Sequence, residues 1–318
     1  MIVCVAANPA IDKLFEVERL APGEIHRPVA LVARPGGKGL NAARAAAALG
    51  AAVEVTGLVG GHAGEWLQEA LMAEPLTGRF VRTAAETRSC LSVADRETGG
   101  LTEFYEDAAP VTREEWDELV DLVESLLVPS EGPASCLALS GSLPPGAPAD
   151  GYATLIGLAR DAGVPTALDS RGGFLSRAIV ASPTLVKINA AEAAELIGAR
   201  IADAADAVAT ARAIRTRTGG DGHAVAITLG EAGAVLVDPA GRAWRGTLDV
   251  RGAYPVSSGD AFLAGLVVAL ERSAAWSDAA RLALGAAAAS AELPGAGVLD
   301  GDRAQALARA AVVGGISG

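Results

Sequence analysis

Short apolar runs rich in β-branched residues recur along the chain, and between them apolar side chains return every three or four positions. The runs Ile2–Ala6, Val29–Ala33, Val53–Val59, Cys136–Leu139, Thr166–Leu168, Leu185–Ile188 and Ala224–Thr228 have the length and composition of strands. Helical spacing predicts helices over Leu40–Leu49, Gly64–Met72, Arg113–Leu127, Tyr152–Asp161, Ala190–Ile197, Ala204–Thr216, Asp260–Leu270 and Ala279–Ala291. The best marked is Arg113–Leu127, where Thr112 and Glu115 make a capping box ahead of Trp116, Leu119, Val120 and Val123. Strand and helix in alternation predict an α/β fold: a parallel sheet with helices on both faces.

One stretch departs from that alternation. From Arg79 to Tyr105 the pattern reads strand, turn, strand, with Gly99-Gly100 as the turn before Leu101–Tyr105. Together with residues near 12–33 it predicts a small β-sheet apart from the main one. No Ser/Gly-rich linker divides the chain, so residues 1–318 are read as a single domain with β-lid segments at approximately 12–33 and 79–106.

Composition narrows the function. The 318 residues are 51% hydrophobic but 4% aromatic, so the core has to be built from Ala, Val and Leu. A mean hydropathy of +0.33 invites a membrane reading. Apolar runs such as Ala261–Leu270 fall well short of the ~20 residues a spanning helix needs. The first residues lack the basic flank of a secretory leader, and a cytoplasmic protein is expected. Cys4, Cys90 and Cys136 are scattered within apolar stretches, as buried reduced thiols are, and the three histidines have no partner at ligand spacing. With 26 basic against 38 acidic residues the net charge is −12, which argues against nucleic acid as a partner. An enzyme or binding protein for a small molecule remains.

Five segments could carry chemistry. Arg34-Pro35-Gly36-Gly37-Lys38-Gly39-Leu40-Asn41 joins a strand to an Ala-rich helix, where glycines let backbone amides approach a ligand and the helix start favours an anion. The glycines alone would serve equally as a structural turn, and as a dinucleotide fingerprint they lack a well-placed acidic partner, since Glu54 falls inside the next strand. Lys38 changes the weighting: with Lys13 and Lys187 it is one of three lysines among the 26 basic residues. Ser257-Ser258-Gly259-Asp260 opens a helix, so its amides could cradle a developing negative charge while Asp260 accepts a proton from an incoming hydroxyl; read alone it is equally an ordinary Ser cap followed by a first-turn acid. Asn189 and Glu192 share one face at a helix start, where Glu192 could hold a water-ligated Mg²⁺ or merely favour the helix dipole. Ser140-Gly141-Ser142-Leu143-Pro144-Pro145-Gly146 and Thr228-Leu229-Gly230, with Gly233, are turns at the carboxyl ends of strands, where open α/β sheets bind ligands.

In order and spacing, the series Asn8-Pro9-Ala10-Ile11-Asp12, Gly36 to Asn41, Thr87-Arg88, Ser140 to Gly146, Asn189-x-x-Glu192, Thr228-Leu229-Gly230 and Ser258-Gly259-Asp260 resembles the ribokinase-like PfkB carbohydrate kinases. Within them it looks closest to the 1-phosphofructokinase and tagatose-6-phosphate kinase branch, and the likeness runs from residue 2 to about 300. The resemblance implies a three-layer α/β/α fold with a mostly parallel central sheet and a small β-sheet lid, ATP and Mg²⁺ as cofactors, and a homodimer formed through the lid. Under it Asp12, Gly36, Gly37 and Asn41 would hold sugar hydroxyls, while Lys38 and Arg88, with Ser142 nearby, would meet a phosphate already on the substrate. Lys187, Asn189 and Glu192 would line the ATP phosphate and Mg²⁺ region, and Thr228, Gly230 and Gly233 the nucleotide. Ser257, Ser258 and Gly259 would form the anion hole, with Asp260 as base.

The chain departs from that pattern at several points. Ser257 stands where the family has the first glycine of its anion hole, Ile188 replaces a proline, and Asp169-Ser170-Arg171-Gly172 carries an arginine of its own. Glu24 lies in Gly23-Glu24-Ile25-His26-Arg27, a stretch usually basic in the family. The expected activity is ATP-dependent phosphorylation of fructose 1-phosphate, fructose 6-phosphate or tagatose 6-phosphate. A kinase for an unphosphorylated sugar or nucleoside, favoured by Glu24, and a weakly catalytic sugar-phosphate sensor, favoured by Ser257, are the alternatives.

Overall fold

The apolar runs and the amphipathic stretches between them settle into two sheets and a double coat of helices in the computed structural model, which describes residues 1–128 and 132–316. The first part of the chain forms strands β1 (Ile2–Ala6), β2 (Ala10–Val17) and β3 (Ala30–Gly36), helix α1 (Lys38–Ala48), strand β4 (Val53–Gly60) and helix α2 (Gly61–Leu71). Strands β5 (Thr77–Thr83), β6 (Arg88–Asp95) and β7 (Leu101–Tyr105) follow, then α3 (Arg113–Leu127), β8 (Cys136–Ser140), α4 (Gly151–Asp161) and β9 (Thr166–Asp169). Next come α5 (Gly172–Ala178), β10 (Leu185–Asn189), α6 (Ala190–Ile197), α7 (Ala204–Arg217) and β11 (Ala224–Thr228). The chain ends with β12 (Ala234–Val237), β13 (Ala243–Thr247), α8 (Ser258–Glu271), α9 (Trp276–Ala291), α10 (Gly301–Ala310) and β14 (Val312–Ile316).

Ten strands make the central sheet, in the order β14-β13-β12-β11-β10-β9-β8-β1-β4-β5. From β11 to β5 every pairing is parallel, and the other end closes with antiparallel β12, β13 and β14. Period-two alternation sorts the core into two halves. Ile2, Cys4 and Ala6 of β1 pack with α1, α2, α8, α9 and α10, whereas Val3 and Val5 pack with α3, α4, α5, α6 and α7. The side under α1 and α8 is paved with small residues, Ala42, Ala43, Ala45 and Ala46 against Ala261, Ala264 and Val268. Two helices can approach closely there, which is how a chain with 4% aromatics still fills its interior.

The second sheet has four strands, ordered β3-β2-β6-β7. One expectation is corrected here. The strand beginning near Arg79 does not belong to this small sheet: β5 pairs in parallel with β4 along its full length, from Glu54 with Thr77 to Gly60 with Thr83, and forms an edge of the central sheet. Arg79 lies there as a partner of Glu54, and the lid takes its second half from β6 and β7. Strands β12, β13 and β14 and helices α5 and α10 stand outside the elements expected from the sequence. Two of them, β13 with Trp244 and Arg245 and β14 with Gly314-Gly315, lack a continuous apolar run. No helix among the described residues is long and apolar enough to cross a membrane.

Candidate active site

The parallel strands β1, β8, β9, β10 and β11 all end at one edge of the sheet, and the loops leaving them surround a cavity of about 830 Å³. That volume is within the ~300–1,000 Å³ typical of small-molecule sites. Of the candidate site residues drawn from the sequence, all line it except Gly36. Gly36 acts instead through the space it leaves, since a Cβ on it would lie 2.1 Å from the Asp12 carboxyl carbon and only glycine lets that side chain lie across the loop. Gly37 next to it adopts φ 95° and donates its amide to Asp12 Oδ2 at 3.4 Å. Burial pushes the Asp12 carboxyl up to about 6, against the pull of that amide and of Arg44 and Arg88.

At the start of α8, Asp260 is 5% exposed and accepts a hydrogen bond from Asn41 Nδ2 at 3.0 Å. Burial pushes its carboxyl up to about 6; Lys38, Lys187 and the Asn41 bond oppose the shift, and Asp169 adds to it. The neighbouring amides of Ser257 and Gly259 make no hydrogen bond among the described residues. Such free donors at a helix start can receive an anion.

Ser257 reaches this geometry in the left-handed region, at φ 65° and ψ 4°. For a residue with a Cβ that costs roughly 1–2 kcal/mol. Its hydroxyl offsets part of the cost by accepting the Gly297 amide at 2.6 Å, a bond a glycine could not make, typically worth about 0.5–1.5 kcal/mol. The helix start therefore keeps the backbone turn that presents its amides and gains a tether to the loop before α10.

Behind the helix start lies a chain of buried charge. Lys187, 3% exposed, is 2.6 Å from Asp169 Oδ2, and Lys38 reaches the other oxygen at 3.3 Å. Burial opposes ionisation of Asp169, but Lys187 and Lys38 outweigh it and hold the carboxyl below the usual range. Lys187 Nζ also sits close under the backbone of Gly259, where a Cβ would stand 3.0 Å from it. Lys38, expected beside Arg88 on the substrate's own phosphate, lines the same cavity and has acidic partners there, Asp169 and, at 3.8 Å, Glu192. Arg88 stands on lid strand β6, its guanidinium donating to the carbonyls of Asn8 at 3.4 Å and Glu106 at 3.3 Å, with Nε unpartnered among the described residues.

Asn189 and Glu192 form a reciprocal capping box on α6, each side chain bonding the other's backbone amide at 2.9 Å. Ser142 accepts a bond from Asn8 Nδ2 at 3.1 Å. Thr228 ends β11, and Gly230 opens onto free space, whereas Gly233 is required by packing, a Cβ there lying 2.1 Å from the Gly246 carbonyl oxygen. Sequence reasoning missed Asp169 as the hub of the lysine pair, and Asn8, Tyr105, Arg171 and Arg251 as lining residues. Asp169 had a usable signal, a lone carboxylate closing an apolar strand at the ligand-binding edge.

The family model of the pfkB family carbohydrate kinases matches residues 1–300. The chain belongs to that family. It is a sugar kinase, and carbohydrate kinases of this family use ATP, typically with Mg²⁺. Phosphofructokinase-2 from Escherichia coli in complex with its substrates and products is 27% identical and superposes with a TM-score of 0.88, covering 97% of this chain and 98% of that one. The same enzyme in complex with fructose-6-phosphate gives 26% and 0.87 over the same shares. A Thermotoga maritima protein described as a possible 1-phosphofructokinase covers both chains completely at 23% identity and a TM-score of 0.88, a likeness of fold.

Proposed function

We propose that this sugar kinase transfers the γ-phosphoryl group of ATP to a hydroxyl of a phosphorylated ketohexose: fructose 1-phosphate, fructose 6-phosphate or tagatose 6-phosphate. The observation that carries the reading is Asp260, a buried carboxylate beside unpaired helix-start amides, with two lysines in its field and an incompletely bonded arginine on the lid side of the same cavity. Asp260 would take the proton of the attacking hydroxyl while Asn41 holds its other flank. The Ser257 and Gly259 amides, with Lys187 beneath and Lys38 beside them, would neutralise charge on the transferring group. Arg88, in register with Ala10 where β6 pairs with β2 and close enough to Asp12 to pull its carboxyl down, would hold the phosphate already present.

The donor set suits a lightly held Mg²⁺. No cluster of three potential metal ligands occurs among the described residues. Glu192 commits Oε2 to the Asn189 amide and turns Oε1 toward Lys38, leaving one carboxylate oxygen for an ion otherwise ligated by nucleotide phosphates and water. Bound there, the ion would offset charge between the β- and γ-phosphates. Glu192→Gln is expected to raise the Mg²⁺ concentration for half-maximal turnover severalfold while α6 keeps its cap. Superimposable Mg²⁺ titrations of the two proteins would confine Glu192 to capping.

The lid supports a homodimer. Leu31 is 60% and Phe104 58% exposed on its strands, apolar area that a second lid could cover; a solution mass of one chain would refute it. A second substrate reading, a free sugar, is favoured by the acids Asp12, Glu103 and Glu106 around Arg88 and by Glu24. ATP turnover over fructose, tagatose, fructose 1-phosphate, fructose 6-phosphate and tagatose 6-phosphate decides between them, and preference for a free sugar overturns the first.

A further inference from the structure

Arg44 on α1 does not line the cavity, yet it is 8% exposed and all five of its N–H bonds have acceptors. Nε and one Nη hold Glu74 at 2.6 and 2.9 Å. The remaining bonds go to the Pro35 carbonyl at 2.6 Å, the Ala296 carbonyl at 2.8 Å and Asn41 Oδ1 at 3.4 Å. A guanidinium has five donors and no acceptor, so its fork is saturated here, and a lysine could not reproduce it. Three segments meet at that point: the residue before the Gly36-Gly37 turn, α1 itself, and the loop around Gly297. That loop packs so closely on α1 that a Cβ at Gly297 would lie 2.4 Å from the Asn41 carbonyl oxygen. The same Gly297 amide is the one held by Ser257 at the anion hole.

We infer that Arg44 is a positioning residue for phosphoryl transfer, fixing which way round the Asn41 amide lies and so keeping an N–H donor on Asp260. The argument is one of valence. An Arg N–H can be accepted only by the oxygen of an amide, so the bond from Arg44 to Asn41 commits Oδ1 and leaves Nδ2 to face the carboxylate, where it is found at 3.0 Å. With the Arg44 bond lost, the amide is free to turn its oxygen to Asp260, replacing a donor by a repulsive acceptor. Glu74 holds the guanidinium at the far side, so the relay runs Glu74, Arg44, Asn41, Asp260. The other groups that bear on Asp260 are Lys38, six residues before Arg44 on α1 and on the cavity side, Asp169 of β9 and Lys187 of β10. None of them contacts Arg44, so its effect is separable from theirs.

This inference rests on Asp260 being the base, and the experiment separates the two. Wild type, Asp260→Asn, Arg44→Lys, Asn41→Ala and the Arg44→Lys/Asn41→Ala double variant are assayed with MgATP and the hexose or hexose phosphate turned over fastest by wild type. Each is followed from pH 5 to 9. Arg44→Lys is expected to lower kcat by about tenfold or more with the sugar KM changed little, and to move the acid limb of the kcat profile to higher pH. In the Asn41→Ala background the same change should add almost nothing. An acid limb left in place, or losses that multiply in the double variant, overturns the relay. Should Arg44→Lys fail to fold by circular dichroism, Glu74→Gln, which leaves Arg44 in place but unmoored, must show the same shift in smaller measure, and an unmoved limb there overturns it equally. If Asp260→Asn keeps wild-type kcat, the base assignment falls; if Asp260→Asn is inactive and Arg44→Lys behaves as wild type, the relay alone falls.

Discussion

Asp260→Asn will cut kcat by about 10²–10⁴, the usual cost of removing a general base, and the inactive protein will melt no lower than the parent at pH 7.5. Both halves follow from one fact. Burial pushes the Asp260 carboxyl up to about 6, so at neutral pH the site holds a charge its surroundings disfavour. A carboxyl with a folded-state value above its ordinary ~3.9 binds its proton more tightly folded than unfolded, so its ionisation costs stability as pH rises from about 4 through 6. Asparagine keeps the shape and removes that cost. The same shift sets the acid limb of the wild-type profile: turnover should fall below about pH 6 as Asp260 protonates. Thermal melts and pH–rate profiles of both proteins check this. A mutant with near wild-type kcat, or one that melts well below the parent, would remove Asp260 from the role given to it.

The tolerance of such a charge depends on the packing that surrounds it, and there the sequence was only partly legible. The parallel sheet and the Arg113–Leu127 helix could be read because their signals are local: β-branched runs, and a Thr112–Glu115 box found in the structure as expected. The motif residues likewise announced themselves by glycine and by rare charge, and the fold gathers them at one sheet edge because parallel strands all end there. What escaped was non-local. Arg79 looks like a lid residue until Thr77–Thr83 finds β4, a choice made by pairing across the sheet. Arg44 looks like an interruption of an alanine helix; its role appears only when Glu74, Pro35 and Ala296, 30, 9 and 252 residues away in sequence, close around it. Lys38 belongs to the same class, a cation whose partners Asp169 and Glu192 come from the end of β9 and from α6.

Under the proposed function those acidic partners give Lys38 a role distinct from that of Arg88, and mutation should separate the two. Arg88→Ala is expected to raise KM for the phosphorylated hexose tenfold or more, a loss of about 1.4 kcal/mol or greater, with kcat and the KM for ATP little changed. Arg88 is held by two carbonyls at 3.3 and 3.4 Å, long for charged donors, and its Nε has no partner, so an incoming phosphate gains bonds without first breaking strong ones. Lys38→Met should do the opposite: kcat falls at least tenfold and the hexose KM moves little. Asp169, Asp260 and Glu192 surround the Lys38 ammonium and, against the cost of burial, hold its proton more firmly than usual, so its charge is present throughout the working range. It stands in the field of Asp260 at the start of α8, and under the proposed function it would act on the charge that develops during transfer rather than on a resident phosphate. Free fructose or tagatose supplies the control: Arg88→Ala should leave their turnover nearly untouched, whereas Lys38→Met should depress it as strongly as it does the phosphorylated substrate. Equal loss of free and phosphorylated sugar in Arg88→Ala would remove the resident phosphate from the lid side of the cavity, and a pure KM effect on the phosphohexose in Lys38→Met would return that lysine to Arg88's side.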